Sequence, residues 1–179
     1  MRVAPEELPI PMTWHQDDSI ANFERLMLQH ERLVLRTALR MLGRLEDAQD
    51  TAQEVFMKLY RHIDNIDAAR GVESWLYRTT MNACFDHIRK RRPTDPIEWE
   101  PPVAATQHAG MERDQRRQLL NEALKTLPEK ECAAVILREI EGLDTAEVAL
   151  ILGSSEATVR SQVSMGKAHL KRHLEGVRA

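Results

Sequence analysis

Residues 93–112 divide this chain into two parts, and the division limits the folds open to it. The segment, PTDPIEWEPPVAATQHAGME, holds four prolines, four acidic residues and no lysine or arginine. Because proline lacks an amide donor and blocks helix continuation, we predict that no regular element runs through it. The pattern indicates an extended acidic linker between a block at 20–92 and a block at 113–175, with a flexible N-terminal tail at 1–19.

Both blocks carry the periodicity of amphipathic helices. In the first block, apolar residues recur every three to four positions and share one face, as in Ala48, Ala52, Val55, Phe56, Leu59 and Tyr60. The low aromatic content of 4% and the lack of hairpin signals argue against a sheet. We therefore predict an all-α protein of two small helical domains. Its helices are expected at about 23–42, 46–60, 75–92, 113–126, 129–141, 144–152 and 155–174, with Gly43 as a C-cap and Ser74, Asp144 and Ser155 as N-caps.

Composition argues against several classes of protein. No apolar run reaches the roughly 20 residues that span a bilayer, and the N-terminus lacks the apolar core of a signal peptide, so no membrane insertion is expected. Cys84 and Cys132 lie far apart in helical patterns, which is typical of reduced thiols in a cytoplasmic protein. His169 and His173 lie one helical turn apart and could bind a metal. No Glu or Cys completes such a site, so we expect no metal, no cofactor and no catalytic centre.

Residues 143–174 have the pattern of a helix-turn-helix. A short helix ends at Leu152, Gly153 supplies a left-handed turn residue, and a longer helix follows. The internal seam consists of Val148, Leu152, Val159, Val163 and Leu170. Hydroxyl, amide and guanidinium groups at the start of the second helix suit base edges and phosphates. After Glu156 the chain holds five cations and one acid, which favours binding to a phosphate backbone. The alternative is a structural corner with no DNA-binding role.

The stretch WLYRTTMNACFDHIRKRR, residues 75–92, is unusual in a chain of net charge −3. It holds three of the eight aromatic residues and ends in four consecutive cations. Trp75 and Tyr77 lie two residues apart, so they cannot both point into one core. Exposed aromatics beside cations suit unstacked bases, and we therefore predict a site for single-stranded nucleic acid. The alternative is a helix that buries its aromatics and leaves its cations in solvent.

An acidic stripe lies on the preceding predicted helix, where Asp47, Asp50 and Glu54 recur on one face. These carboxylates would repel phosphate, so this face does not suit nucleic acid. It is either a docking surface for a basic partner or a plain solvated face.

Three segments together resemble a known family. DAQDTAQEVFMKLYRHI resembles the polymerase-binding helix of the sigma factors of bacterial RNA polymerase, in the extracytoplasmic-function (ECF) group of the sigma-70 family. WLYRTTMNACFDHIRKRR resembles that family's helix for melting and reading the minus-ten promoter element, within sigma region 2. ALKTLPEKECAAVILREIEGLDTAEVALILGSSEATVRSQV resembles sigma region 4, which reads the minus-thirty-five element. The segments occur in the family's order with a linker between them.

The resemblance implies a promoter-specificity subunit with three sets of site residues. Contacts with core RNA polymerase, at the clamp helices of its largest subunit, are implied for Asp47, Asp50, Gln53, Glu54 and Phe56. Contacts with the melted single strand of the minus-ten element are implied for Asn65, Arg70, Trp75, Tyr77, Arg78, Asn82, Asp86, Arg89, Lys90, Arg91 and Arg92. Contacts with duplex minus-thirty-five DNA are implied for Ser155, Thr158, Arg160, Ser161, Gln162, Met165 and Lys167. An anti-sigma factor is a further implied partner.

The sequence departs from the family pattern after TVRS. The family continues with arginines, whereas this chain has Gln162, Met165 and Lys167 at those positions. Because arginine reads guanine bidentately and methionine has no donor, we expect a different minus-thirty-five preference and weaker phosphate contact. Gly166 also costs the helix about 1 kcal/mol relative to alanine. Two other functions stay open: a helix-turn-helix regulator that binds DNA without polymerase, and a sigma-like interaction protein that does not initiate transcription.

Overall fold

Residues 15–63, 66, 71–91 and 111–178 are described by a computed structural model of the chain. The regular structure in these ranges is entirely helical, with no β-strand among them. The all-α prediction is therefore confirmed. Over the same ranges, no helix is both long enough and apolar enough to cross a membrane. Residues 1–14 of the tail predicted at 1–19, and residues 93–110 of the linker predicted at 93–112, lie outside the described residues.

The first block folds into α1 (His15–Leu42), α2 (Leu45–His62) and α3 (Val72–Lys90). α1 begins before its expected start at 23, inside the segment assigned to the tail. It ends at Gly43, where φ is +74° and the amide donates to the Leu39 carbonyl at 2.8 Å. This arrangement is the predicted glycine C-cap.

The start of α3 differs from the prediction. Its N-cap is Gly71, and Ser74 lies inside the first turn of the helix rather than before it. Gly71 has φ of +74°, a left-handed conformation that glycine adopts at little steric cost. The prediction of Ser74 as the N-cap is wrong, because the backbone of a glycine makes this turn and no side chain caps it.

The three helices of the first block pack around an apolar cluster of their own. Trp75 of α3 packs against this cluster and is only partly buried. The buried members of the cluster are Leu26, Val34, Ala52, Val55, Phe56, Leu59, Leu76 and Ala83. Burial of so many aliphatic side chains, each contributing about 1.5–3 kcal/mol, holds α3 across α1 and α2.

The second block contains α4 (Met111–Lys125), α5 (Glu129–Val135), α6 (Thr145–Leu152) and α7 (Glu156–Arg178). α5 continues directly into a π-helical segment, Ile136–Ile140. These bounds agree with the expected helices, since glycine, proline and capping residues mark most of the breaks.

Local hydrogen bonds fix the helix-turn-helix of this block. At the start of α6, the Glu147 amide donates to Asp144 Oδ1 at 2.8 Å, and the Asp144 amide donates to Glu147 Oε2 at 3.0 Å. Gly153 then turns the chain with φ of +61°. At the start of α7, the Thr158 amide donates to Ser155 Oγ at 3.1 Å. Asp144 and Ser155 are therefore confirmed as N-caps.

Gly166 lies where α7 crosses α5. A Cβ atom added there would meet Val135 Cγ2 at 2.7 Å and Leu127 Cδ2 at 3.3 Å. Any larger residue would push the two helices apart. The helix-propensity cost expected for this glycine is thus offset by a close helix crossing, which fixes how α7 is rotated about its axis.

The two blocks share a second apolar cluster. The first block contributes Ala38, Met41, Leu42, Ala48, Tyr77, Met81 and Cys84. The second block contributes Leu124, Leu127, Cys132, Ala133, Val135, Ile136, Leu137, Val148, Ala149, Ile151 and Val159. Both cysteines are free, and burial raises the pKa of each thiol to about 12. They are therefore inert packing residues, as expected.

A buried carboxylate also joins the blocks. Glu141, whose side chain is 3% exposed, follows the π-helical segment and accepts hydrogen bonds from three residues of the first block. Arg36 Nη2 donates at 2.6 Å, the Tyr77 hydroxyl donates at 3.1 Å, and Arg40 donates as well. Burial lowers the pKa of Arg40, and burial together with the Glu141 charge raises that of Tyr77. We call Glu141, Arg36, Arg40 and Tyr77 the Glu141 clasp.

Candidate nucleic-acid interface

The outer face of α3 carries a polar stripe. Trp75, Arg78, Asn82, Asp86 and Arg89 are separated by three or four residues along the helix, so they share one side of it. Arg78, Asn82 and Arg89 are exposed, and Trp75 and Asp86 are partly buried. Arg89 pairs with Asp86 one turn earlier. The structure therefore brings five of the predicted minus-ten residues onto one accessible surface.

Trp75 stands at the N-terminal end of this surface. Its ring lies 6.4 Å from that of His62 between centroids, and one side of it packs on the first apolar cluster. The rest of the indole is accessible. Such a ring, held by packing on one side, can offer its free part to an unstacked base at little entropic cost.

Tyr77 does not lie on the polar stripe. It is 5% exposed, packs in the shared cluster and donates its hydroxyl proton to Glu141. Trp75 and Tyr77 do point to different sides of α3, as their spacing requires. However, a core lies on each side, so the expectation that Tyr77 is exposed is wrong. A contact between Tyr77 and DNA requires the clasp to open.

The basic end of α3 is only partly free. Arg89 and Lys90 are exposed, whereas Arg91 is partly buried with Nη1 3.9 Å from Asp47 Oδ2. His87 Nε2 lies 3.5 Å from the same oxygen. Of the other residues predicted for this site, Asn65, Arg70 and Arg92 lie outside the described residues.

The acidic residues of α2 are divided by burial. Asp50, Gln53 and Glu54 are exposed, and Glu54 pairs with Lys58 at 2.6 Å. Asp47 instead faces the basic end of α3, and Phe56 is buried in the first cluster. Three of the five predicted polymerase contacts are thus accessible, while Asp47 and Phe56 serve the interior of the fold.

An apolar groove of about 970 Å³ borders these acids, and it was missed in the sequence. It lies between α1 and α2. Met57 and Tyr60, 56% and 48% exposed, line it together with Phe23, whose ring packs edge-on against Tyr60 at 5.3 Å. The apolar periodicity predicts Tyr60 on the buried face of α2, and this prediction is wrong because α1 covers only part of that face. The spacing of Gln53, Met57 and Tyr60 was the signal available.

The helix-turn-helix has the predicted interior. Val148 and Val159 are fully buried, and Leu152, Val163 and Leu170 pack on the shared cluster as partly buried residues. This seam turns the opposite side of α7 outward. Thr158, Arg160, Ser161, Met165 and Lys167 are exposed there, as is the N-cap Ser155.

The cations of the outer face of α7 are already paired with acids. Arg160 Nη1 lies 3.1 Å from Glu156 Oε2, and Lys167 Nζ lies 3.3 Å from Glu139 Oε2. All four side chains are substantially exposed, so such pairs contribute at most about 1 kcal/mol each and can exchange for phosphate. The face is thus able to bind a polyanion after releasing its own carboxylates.

Gln162 is less exposed than predicted. It is partly buried, and its Oε1 is buried without a hydrogen-bond partner among the described residues. It borders a cavity of about 130 Å³ that Phe85 of α3 also lines. The expectation of a solvent-facing Gln162 is therefore wrong in this arrangement, because the first block packs beside the start of α7.

His169, one residue of the histidine pair, contacts a carboxylate of α5. His169 Nδ1 lies 2.6 Å from Glu131 Oε2, a carboxylate that is largely buried between α5 and α7. Across the described part of the chain, no group of three or more His, Cys, Asp or Glu residues is placed to hold a metal ion.

Comparison with known proteins identifies the family. Residues 26–94 match the family model for sigma-70 region 2, and residues 117–170 match that for sigma-70 region 4. The chain is 33% identical over 159 residues to the ECF RNA polymerase sigma factor SigM of Mycobacterium tuberculosis, covering 85% of this chain and 76% of SigM. This chain belongs to the ECF sigma factors of the sigma-70 family.

A second relative differs in length from this sigma factor. It is the ECF RNA polymerase sigma factor SigE of Mycolicibacterium smegmatis, 32% identical over 167 residues. The match covers 87% of this chain but 63% of SigE, so the sigma factor spans less than two thirds of that relative.

Solved structures agree on the fold of the sigma factor. One is the sigma factor RpoE of Bartonella quintana in complex with the anti-sigma factor NepR, with a TM-score of 0.71 and 20% identity over 86% of this chain and 97% of that one. Another is CnrH in complex with the cytosolic domain of CnrY, with a TM-score of 0.65 and 24% identity over 88% and 90%. At these identities the likeness concerns the fold alone.

The described surfaces fall within the two matched regions. The region 2 match contains α2, α3 and much of α1, and so it includes the polar stripe, the acidic residues and most of the groove. The region 4 match contains α5, α6 and most of α7 with its outer face. The shared cluster holds these two regions against each other.

Proposed function

We propose that this sigma factor binds core RNA polymerase, directs it to specific promoters and helps to melt the minus-ten element. In this proposal, Asp50, Gln53 and Glu54 dock on the clamp helices of the largest subunit, and the α1–α2 groove receives apolar side chains beside them. Chemistry stays with the polymerase, and the sigma factor supplies binding energy without a catalytic group. It acts in the cytoplasm, where the polymerase and the chromosome are.

The polar stripe of α3 is the single observation that carries the proposal. It combines a half-free indole with an amide and two guanidinium groups along one side of a helix. A duplex hides the faces of its bases, so a stacking ring gains contacts only when a base leaves the helix. Binding at the stripe therefore favours the melted strand, and this preference helps to open the promoter.

The outer face of α7 supplies the second contact with DNA. A helix-turn-helix places its second helix in the major groove, with residues near the start of that helix at the base edges. Here those residues are Ser155, Thr158, Arg160 and Ser161, all exposed. Lys167 lies further along, where it can reach phosphate. Gln162 and Met165 replace the family's arginines, and we propose that they alter the minus-thirty-five preference.

Simultaneous binding of both elements requires the two blocks to separate. The elements are centred about 25 base pairs apart, roughly 85 Å along B-DNA. α7 with its 23 residues is about 35 Å long, and the shared cluster places it directly beside α3. The arrangement in the structure is therefore a closed form, and we propose that promoter binding uses an open form in which the Glu141 clasp is broken.

An anti-sigma factor is proposed as a further partner. Both solved structures named above are complexes with a second protein, and in one of them a sigma factor is bound to an anti-sigma factor. In this chain, the apolar groove of α1 and α2 is open in the closed form. An anti-sigma segment with apolar side chains would compete there with polymerase.

Run-off transcription tests the proposed function directly. Purified full-length protein and core polymerase are incubated with a library of genomic promoter fragments, and the transcripts are sequenced. The proposal expects defined start sites that depend on the added protein. Trp75→Ala should lose most transcripts, while Arg32→Ala, which changes an exposed residue of α1 outside the proposed contacts, should retain them. Absence of any start site with wild-type protein would refute the proposal.

A helix-turn-helix regulator that works without polymerase is the second candidate. It is supported by the outer face of α7, but it leaves the acidic residues and the groove without a use. Co-purification separates the two candidates. The sigma proposal expects tagged wild-type protein to retain core polymerase and Met57→Asp, which places a charge in the groove, to lose it. A regulator of this kind would retain no polymerase in either form.

A further inference from the structure

Met165 is an exposed apolar residue on a surface proposed to bind DNA. Its side chain is 50% exposed on the outer face of α7. It lies one turn beyond Ser161 and two turns beyond Thr158, so the three share one side of the helix. The Ser161 hydroxyl donates to Met165 Sδ at 3.8 Å. A flexible thioether thus extends the row of side chains that is proposed to face the base edges.

The orientation of Met165 is fixed by its neighbour. Gly166 is buried at the crossing with α5, where there is no room for a Cβ atom. Val159 lies two turns before Gly166 on the same face of α7 and is fully buried. α7 cannot rotate about its axis without breaking this crossing, so Met165 stays on the flank of the outer face in any state that keeps the second block folded.

Small residues lie beside Met165 along the centre of the outer face. Ala157, Ser161, Ser164 and Ala168 are all exposed, and they are spaced at three or four residues. A helix with such short side chains can approach the floor of the major groove closely. Met165 is the longest apolar side chain on that face and would reach a base edge before the backbone does.

The chemistry of methionine selects one base. The major groove presents hydrogen-bond donors and acceptors from every base pair, and its apolar group is the C5 methyl of thymine. Met165 has no donor to offer a guanine or adenine, and it would leave their polar edges without a partner. We infer that Met165 is a specificity residue that contacts a thymine methyl group in the minus-thirty-five element. This inference rests on the proposed function of α7.

Replacing thymine with deoxyuridine removes only the methyl group. The experiment uses holoenzyme made from core polymerase and full-length protein, on a promoter found by the run-off assay. Each thymine of the minus-thirty-five element is replaced in turn. For each template, we measure the holoenzyme concentration that gives half-maximal run-off transcription. With the wild-type protein, the replacement at one of these positions should weaken binding about fourfold. This is the value expected for the loss of one buried methyl group.

Variants assign that effect to Met165. Met165→Ala should be insensitive to deoxyuridine at the same position, whereas Met165→Leu should keep most of the sensitivity. Leu119→Ala is the matched control, because it also truncates an exposed apolar side chain of the second block, on α4 and outside the proposed DNA contacts, and should behave as wild type. Thermal unfolding checks that each variant is folded, which is expected because both side chains are exposed.

The outcomes separate this inference from the proposed function. The methyl contact is overturned if no deoxyuridine replacement affects transcription. It is also overturned if a replacement affects Met165→Ala as much as the wild-type protein. Both outcomes leave the proposed sigma function standing. Loss of transcription in Arg160→Ala under those conditions would show that α7 still binds the element. A protein that supports no transcription with core polymerase overturns both.

Discussion

Replacing Glu141 with alanine tests what holds the closed form together. Glu141 is buried, and its partners Arg36, Arg40 and Tyr77 all belong to the first block. The contacts with Arg40 and Tyr77 are shielded and are each expected to contribute on the order of 1–1.5 kcal/mol. Arg36 is half exposed, so its contact adds less. The substitution should therefore weaken the closed form by about 3 kcal/mol, roughly a hundredfold in its population relative to the open form.

Energy transfer between two dyes measures the opening. Cysteines introduced at Glu24 and Lys171 place one dye on each block, and both positions are exposed. The native Cys84 and Cys132 are buried with raised pKa values, so they react slowly with the dyes. Transfer should fall in Glu141→Ala. The same change should lower the protein concentration that gives half-maximal run-off, because less of the protein is held in a form that cannot span both elements.

Glu139→Ala is the matched control for this prediction. Glu139 lies two residues away and pairs with Lys167 inside the second block, so its removal should leave the transfer unchanged. A double-mutant cycle adds a second check. Urea unfolding of Glu141→Ala, Tyr77→Phe and the double variant should give a coupling of about 1 kcal/mol. Equal energy transfer between the dyes in Glu141→Ala and Glu139→Ala, together with a coupling energy near zero, would refute the role of the clasp.

Three further predictions follow from single contacts. Trp75→Ala should reduce permanganate reactivity of the minus-ten thymines about tenfold while affinity for core polymerase changes little, since one stacked base contributes about 1–3 kcal/mol; equal losses in both assays would argue against stacking. Gly166→Ala should destabilise the protein to urea by about 1–2 kcal/mol through the close approach to Val135, and Val135→Ala in the same chain should recover part of that loss. Glu156→Gln should free the guanidinium it pairs with and raise holoenzyme affinity for promoter DNA several-fold at low salt. Glu175→Gln makes the same charge change but frees Lys171, which lies beyond the residues proposed to contact DNA, and should have the smaller effect; equal effects would mean that the position of the freed cation does not matter.

Local signals in the sequence were sufficient for most of the fold. Helix bounds in both blocks follow the apolar periodicity, and Gly43, Gly153, Asp144 and Ser155 mark their ends as expected. Each of these signals acts over a few residues, which is why sequence spacing reveals them. The N-cap of α3 is the exception, since Gly71 makes a turn by backbone conformation and the nearby serine had the more familiar capping chemistry.

Contacts between the blocks could not be read from the sequence. Glu141 precedes a glycine and looks like an exposed acid at a helix end, yet its partners lie far from it in sequence. The spacing of Trp75 and Tyr77 predicts an exposed tyrosine only if each block has a single core. Which side of α3 faces a second core depends on how two folded units dock, and no spacing rule within one helix carries that information.

The candidate surfaces were predicted in part for the same reason. Arg78, Asn82 and Arg89 share an exposed side of α3 because helical spacing alone decides it. The α1–α2 groove depends on how much of α2 is covered by α1, which is a packing property. Its residues Met57 and Tyr60 read as ordinary members of an apolar pattern.

The pairing of cations on the outer face of α7 bears on how an acidic chain can bind DNA at all. Arg160 and Lys167 each lie within 3.3 Å of a carboxylate, from Glu156 and Glu139. A phosphate that binds one of these cations displaces a carboxylate, and the carboxylate stays close by. The net binding free energy is therefore a difference between two similar interactions. Attraction to arbitrary DNA is therefore weak for the free chain. Under the proposed function, base contacts and the affinity of the polymerase would supply the rest, and stable binding would be restricted to promoters reached as holoenzyme.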